Sequence, residues 1–281
     1  MAMALLDSHC HARSRWPYEP PVPDETSRGT IEQLLYEFDV HGIEQALVVC
    51  ASIDHNADNV AYVAAGRDRH PTRLHLVADL DCSWSSTYHA PGAAERLRLL
   101  DERYGLRGVT HYLAEENDGW LASDEADAVF ALAAERGLIV SLGASPVWQA
   151  DLRTLARRHP SVPVLCHALG VVRVGRSLDE VLASSDVPNI FIKVAGLPYC
   201  AERDWDYPWP DVLAVLERIY DAYGAARLCW GSDFPASTLY CTFRQSLEAV
   251  RSHCPFLTPS DLRLVLGDTM ARLLATGQAA E

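Results

Sequence analysis

The sequence predicts an α/β protein folded as a single (β/α)8 barrel, a TIM barrel, with its active site at the C-terminal ends of the strands. Short apolar segments alternate with longer amphipathic segments along the whole chain, which is typical of repeated βα units. The chain has 281 residues, close to the roughly 250 residues of such a barrel. Polar residues able to bind metals or move protons lie near both ends of the chain, and the first and last strands are neighbours only in a closed barrel.

Eight segments are predicted as strands, because each is a short apolar run between turn residues. They are residues 5–11, 45–51, 74–80, 106–112, 138–143, 164–167, 190–195 and 228–233. The longer amphipathic segments between them are predicted as helices at residues 30–41, 93–104, 123–136, 150–159, 177–184, 209–223 and 241–253. We expect Gly42 and Gly137 to end two of these helices, because glycine readily adopts the left-handed conformation found there.

Composition and charge narrow the class of protein. Hydrophobic residues make up 49% of the chain and charged residues 22%, which predicts a folded domain with a substantial core. No change in composition and no repeat divides residues 1–281, so they are predicted to form one domain. The net charge of −14 argues against binding to nucleic acid or to an acidic membrane surface. We expect a small-molecule substrate, and a homo-oligomer remains open.

Cysteine usage and the first residues bear on location. The eight cysteines form no C-x-x-C pair, and several lie within apolar segments, so they are predicted to be reduced core thiols. Residues 1–6 lack a basic segment and are predicted not to be a signal peptide. We therefore expect a cytoplasmic protein.

A short motif near the N-terminus carries most of the chemical information. In Asp7-Ser8-His9-Cys10-His11 the alternation of a strand places Asp7, His9 and His11 on one face. Two imidazoles so placed converge on one point, where a metal ion or a polarised substrate can bind. The carboxylate of Asp7 lies deeper on the same face, where we expect it to orient His9.

Two further residues complete the set. His167 ends the sixth predicted strand, and Asp233 ends the eighth, within residues 228–235. Catalytic groups in such barrels lie at the C-terminal ends of the strands. We therefore expect His9, His11, His167 and Asp233 to share one rim.

These motifs make the chain similar to the amidohydrolase superfamily. The resemblance is to its amidohydrolase-related (amidohydrolase 2) branch, which contains 2-pyrone-4,6-dicarboxylate lactonase and sugar-lactone hydrolases. It extends over essentially the whole chain, and the segments that carry it are residues 7–11, 51–59, 107–109, 164–170, 192–194 and 230–235. It implies a TIM-barrel hydrolase whose site residues are His9, His11, His167 and Asp233.

The chain departs from the wider superfamily in its metal ligands. Binuclear members of the superfamily use a carbamylated lysine on the fourth strand, whereas the one lysine here is Lys193, on the seventh. The predicted fifth strand, residues 138–143, also lacks the histidine that metal-binding members commonly have. A lysine-bridged binuclear site is therefore not expected. Two possibilities are equally open. The site binds one divalent ion, Zn²⁺ or Mn²⁺, through His9, His11 and Asp233, or it works without a metal.

The predicted function is hydrolysis of a lactone that is carboxylated or polyhydroxylated. Asp233 would act as the general base for water, and the histidines would polarise the carbonyl group directly or through the ion. Arginine matches a carboxylate group and tyrosine can stack on a ring. The side chains expected to contact substrate are Arg13, His55, Arg173, Arg176 and Tyr199. Thr110 stands where we expect an arginine in the dicarboxylate lactonase, which argues against that particular substrate.

Two other interpretations stay open. A neighbouring branch of the superfamily contains metal-dependent decarboxylases of aromatic or unsaturated carboxylic acids. The chain resembles that branch at His167 and Asp233, but lacks the histidine on the fifth strand. A barrel that binds a ligand without catalysis is the third interpretation, and four polar groups in one mouth argue against it.

Overall fold

Eight parallel strands lie in sequence order in the computed structural model, which describes residues 4–276. They are β1 (Leu5–Cys10), β2 (Ile43–Val49), β3 (Leu74–Asp79), β4 (Gly108–Tyr112), β5 (Ile139–Gly143), β6 (Val164–Cys166), β7 (Ile190–Val194) and β8 (Leu228–Trp230). The predicted (β/α)8 barrel is confirmed. His11, His167 and Asp233 lie just beyond the ends of β1, β6 and β8, because the chain leaves the sheet there to enter the loops at the C-terminal ends of the strands.

Helices alternate with these strands. Over residues 4–276 they are α1 (Ile31–His41), α2 (Asn59–Arg69), α3 (Ala93–Tyr104), α4 (Asp124–Arg136), α5 (Gln149–Arg158), α6 (Ala168–Val171), α7 (Asp179–Ala183), α8 (Leu197–Cys200), α9 (Pro210–Tyr223), α10 (Phe243–His253), α11 (Pro259–Arg263) and α12 (Thr269–Thr276). A π-helical turn at Leu264–Asp268 connects the last two. Every predicted helix is present. The helix α2 was not predicted, because its buried face consists of small residues such as Val63, Ala64 and Gly66 instead of a leucine-rich stripe.

The helix ends follow from local chemistry. The side chains of Thr30 and Ser123 accept hydrogen bonds from the first turns of α1 and α4, as expected of N-cap residues. Gly42 and Gly137 end the same two helices with φ of 75° and 62°, a left-handed conformation that costs glycine little. The predicted roles of both glycines are confirmed.

The barrel closes where β8 meets β1. The backbone N–H of Asp233 donates to the carbonyl of His9 at 2.8 Å, and that of His11 donates to the carbonyl of Phe234 at 2.6 Å. The hydroxyl of Ser8 donates to the carbonyl of Cys229 at 3.1 Å. The residues that close the barrel are therefore those of the two motifs that the sequence singled out.

The carboxylate of Asp7 stabilises the seam, the contact between β8 and β1 and the residues that directly follow them. Its Oδ1 accepts the backbone N–H groups of His9 and Ser232, both at 3.0 Å. Burial raises the pKa of Asp7 to about 7, although these hydrogen bonds by themselves would lower it. The expectation that Asp7 orients the ring of His9 is wrong, because the carboxylate turns to the backbone of both strands.

The core has two parts. A large cluster fills the space between the sheet and the helices, and a smaller one joins inward-facing strand residues such as Leu47, Val77 and Leu165 to the apolar face of α12. All eight cysteines are buried and unpaired, in agreement with the prediction of reduced thiols. Between residues 4 and 276, no helix is long and apolar enough to cross a membrane. The prediction of one domain over 1–281 includes residues outside the described range and stays a prediction.

The close contact between β8 and β1 predicts that a side chain at Gly231 lowers the stability of the fold. A Cβ atom added there would lie 2.7 Å from Cβ and 2.9 Å from N of His9, so β8 could not approach β1 as closely. We expect Gly231→Ala to lower the free energy of unfolding by about 1–3 kcal/mol, the usual cost of overpacking. Urea unfolding measures this.

Gly175→Ala is the matched control. Gly175 has φ of 80° and open space around its Cβ position. Alanine there carries only the conformational cost, about 1 kcal/mol. Equal losses in the two variants would show that the close approach of β8 to β1 does not limit stability.

Candidate active site

Three of the predicted site residues converge at the top of the barrel. Nε2 of His9 lies 3.4 Å from Oδ1 of Asp233, and Nε2 of His11 lies 3.5 Å from the same oxygen. All three side chains are buried. Asp233 has φ of 55°, a conformation that costs a residue other than glycine of order 1 kcal/mol and that frequently marks functional positions.

His167 and Lys193 extend this group through the barrel interior. Nζ of Lys193 lies 3.2 Å from Nδ1 of His9 and donates to Oγ of Ser141 at 2.7 Å. That Oγ in turn lies 2.6 Å from Nε2 of His167. A continuous chain of polar contacts therefore runs from Asp233 through His9, Lys193 and Ser141 to His167.

The contacts favour one arrangement of the protons. Because Lys193 donates to Ser141, the hydroxyl of Ser141 can donate onward to Nε2 of His167. His167 then carries its proton on Nδ1, a buried atom without a hydrogen-bond partner among the described residues. By the same reasoning, an N–H of Lys193 donated to His9 leaves the proton of His9 on Nε2, facing Asp233.

His11 has the opposite arrangement. Its Nδ1 lies 2.7 Å from the backbone carbonyl of Val49, so this nitrogen carries the proton and donates it. Its Nε2 points at the Asp233 carboxylate, to which it donates when it carries a proton, and it offers a lone pair to an ion when it does not. This is how a histidine that binds a metal is usually held.

Burial controls the charges of the cluster. Burial, with Lys193 nearby, lowers the pKa of His9 to about 3, and burial also holds the pKa of His167 well below its usual range. Burial alone would raise the pKa of Asp233, but hydrogen bonds from His11 and His9 outweigh it and hold that pKa below its ordinary value. At neutral pH the site therefore contains neutral His9 and His167 beside an ionised carboxylate.

A cavity of about 270 Å³ opens above this cluster. The polar side chains that line it are His9, Tyr112, His167, Tyr199 and Asp233. The rings of Tyr112 and His167 lie 4.7 Å apart in an edge-on arrangement. Burial, and then the nearby Asp233 carboxylate, raise the pKa of the Tyr199 hydroxyl, which therefore stays a hydrogen-bond donor at neutral pH.

The remaining cavity wall is apolar. It is formed by Leu113, Ala168, Val171 and Ala195, with Gly143 and Gly196 between them. Ala168 and Val171 belong to the turn after β6, where both have positive φ values, of 41° and 55°. This turn brings the apolar side chains over His167.

The predicted substrate contacts are only partly found at the cavity. Tyr199 lines it. Arg13 does not line it and is buried, and its guanidinium donates to the carbonyl of Ala51 and, at 3.4 Å, to the Tyr18 hydroxyl. Arg173, Arg176 and His55 are exposed and do not line it.

The sequence did not predict that Tyr112 and Leu113 line the cavity, or that Ser141 contacts His167. Ser141 lies within an apolar strand, and a polar residue at the centre of β5 is the signal that could have revealed it. Tyr112 ends β4, where alternation along the strand points it to the cavity.

The donor set fits a single divalent ion. One ligand atom from each of His9, His11 and Asp233 can be chosen so that all lie within 4.8 Å of one another. Two imidazoles and a carboxylate suit Zn²⁺ or Mn²⁺. His9 can bind through Nε2 when its proton lies on Nδ1 and Lys193 is uncharged, and burial lowers the pKa of Lys193 to about 7. On β4, Thr110 occupies the inner face where a bridging lysine would be needed.

Comparison with known proteins places the chain among relatives. A family model described as Amidohydrolase (Amidohydro_2) matches residues 6–276. The curated protein L-fucono-1,5-lactonase of Burkholderia ambifaria is 29% identical over 145 residues. This match covers 48% of the chain and 47% of the lactonase, so the chain matches about half the length of this relative.

Solved structures share the fold over nearly the full length. An amidohydrolase of Burkholderia multivorans with bound zinc has a TM-score of 0.77 and 20% identity, covering 97% of this chain and 99% of that chain. A probable 2-pyrone-4,6-dicarboxylic acid hydrolase of Acinetobacter baumannii, solved with citric acid bound, has a TM-score of 0.75 and 19% identity, covering 97% and 100%. At these identities the likeness shows a common fold.

Proposed function

The chain belongs to the amidohydrolase family, and from this membership and the geometry of the site we propose that it is a hydrolase that opens lactones. The observation that carries the proposal is the convergence of one carboxylate with two histidines at 3.4 and 3.5 Å on the floor of a cavity. The partial likeness to L-fucono-1,5-lactonase supports a cyclic ester as substrate.

Asp233 is the group that activates water. A water molecule beside its carboxylate attacks the carbonyl carbon of the lactone, and Asp233 accepts the proton. The bond between that carbon and the ring oxygen then breaks, and the proton on Asp233 passes to the ring oxygen. The product is an open-chain hydroxy acid, and Asp233 returns to its starting state.

The histidines stabilise the oxyanion that forms on the carbonyl oxygen. His167 lines the cavity, and its Nδ1–H is buried without a partner among the described residues, so it donates to a substrate oxygen once the ring shifts toward the cavity. Nε2–H of His9 is directed at Asp233 in the free site. When the carbonyl oxygen takes this donor, Asp233 loses a hydrogen bond that holds its pKa low, so it becomes a stronger base when it must accept a proton.

A divalent ion is compatible with this chemistry. His9, His11 and Asp233 would hold it, and the zinc-bound relative of the same fold supports its presence. When bound, the ion would polarise the carbonyl group and lower the pKa of water. His167 keeps its role in either case, since it lies outside the three ligands.

The decarboxylase alternative has less support. That chemistry was expected to need a histidine on the fifth strand, and β5 places Ser141 there, held by Lys193 and His167. A cytoplasmic location, the choice between a metal-dependent and a metal-free site, and the oligomeric state stay predictions.

Replacing Asp233 with asparagine tests the role of the base. The amide cannot accept the proton from water, so we expect Asp233→Asn to lower kcat by roughly 10³-fold on any lactone turned over by the wild type. Proton release from a panel of five- and six-membered lactones measures this. Asp79→Asn is the matched control, because Asp79 is a partly buried carboxylate at the end of β3, outside the cavity. A similar loss in both variants would contradict the assignment.

Replacing Lys193 with methionine tests the chain of polar contacts that runs from Asp233 to His167. Methionine fills the space but cannot hold the protons of His9 and Ser141, so we expect kcat to fall roughly 10- to 100-fold with little change in KM. Nitrogen NMR shifts of the histidine rings should show altered proton positions. The variant should remain folded, since removing a buried amine relieves a desolvation cost. Unchanged kcat with unchanged ring shifts would eliminate a positioning role.

A further inference from the structure

The charges at the cavity are unbalanced. Among the described residues that line it, the one carboxylate is that of Asp233, and there is no arginine or lysine. A carboxylated substrate would therefore meet a carboxylate and no cationic side chain.

The nearby cations are engaged elsewhere. Arg13 is 1% exposed and donates to Ala51 and Tyr18. Lys193 is fully buried beneath His9, with Ser141 as its other partner.

Arg173 is exposed and does not line the candidate cavity. It lines a separate cavity of about 260 Å³ together with Glu202 and Asp204. The two cavities share Tyr199.

The apolar part of the cavity wall offers few hydrogen bonds. Leu113, Ala168, Val171 and Ala195 present only apolar side chains to the cavity. A hydroxyl group placed against them gives up its water partners and gains none, at a cost of about 1–3 kcal/mol. An alkyl group placed there is instead removed from water, which favours binding.

We propose that the substrate of this site is an uncharged lactone with a short apolar substituent, the lactone carbonyl lying at Asp233 and the substituent against the wall of Leu113 and Val171. This inference rests on the proposed function and departs from the carboxylated or polyhydroxylated lactone that the sequence predicts. The volume of about 270 Å³ limits the ligand to one ring with a small side group.

Three six-membered lactones of matched ring size test the proposal. They are δ-hexanolactone, 6-oxotetrahydropyran-2-carboxylate and D-glucono-1,5-lactone, which carry a methyl group, a carboxylate and several hydroxyls. With spontaneous hydrolysis subtracted, we expect kcat/KM for δ-hexanolactone to exceed that of each of the others at least about tenfold.

Leu113→Arg provides a second, independent measurement. It adds a cation to the cavity wall, so we expect it to shift the ratio of kcat/KM values toward the carboxylated lactone about tenfold or more. Leu113→Gln is the matched control, because it replaces the apolar side chain with a polar one but adds no charge, so it should shift that ratio clearly less than Leu113→Arg does.

The outcomes separate the two proposals. A wild-type preference for the carboxylated or the polyhydroxylated lactone overturns this inference while lactone hydrolysis stands. Equal shifts in Leu113→Arg and Leu113→Gln also overturn the charge argument. No turnover of any of the three lactones, nor of a wider panel, overturns the proposed function and this inference with it.

Discussion

The closure of the barrel between β8 and β1 is the constraint on which the site depends. The backbone N–H of Asp233 donates to the carbonyl of His9, and Asp7 accepts backbone N–H groups from both sides of the seam. These bonds bring residues more than two hundred positions apart in the chain into contact, and Gly231 allows the close approach. The carboxylate and the two histidines meet because the seam holds them there.

The barrel interior beneath the site is polar at a cost to stability. Lys193 is fully buried, and burial of an amine disfavours its charged form. Its hydrogen bonds to His9 and Ser141 offset only part of this cost. Folding alone would be served better by an apolar residue at this position. Lys193 instead joins His9, and through Ser141 also His167, the two histidines that line the cavity.

Much of the fold and the chemical centre follows from local patterns. Alternating apolar segments predict the eight strands, and His9, His11, His167 and Asp233 lie at or just beyond strand ends, as the rule for such barrels predicts. The substrate contacts do not follow in this way. Whether Arg173 faces the cavity depends on the path of its loop, and Ser141 becomes significant only once Lys193 lies beside it. Such relations arise from tertiary packing, which strand periodicity does not encode.

The most direct test of the account is hydrolysis of the best lactone in water labelled with oxygen-18, followed by mass spectrometry of the product. Attack on the carbonyl carbon predicts a single labelled oxygen in the carboxylate of the hydroxy acid, formed at a rate that Asp233→Asn lowers by roughly 10³-fold. Label in the product hydroxyl, or label incorporated at the same rate by Asp233→Asn, would contradict the assignment of Asp233 as the base that delivers water to the carbonyl.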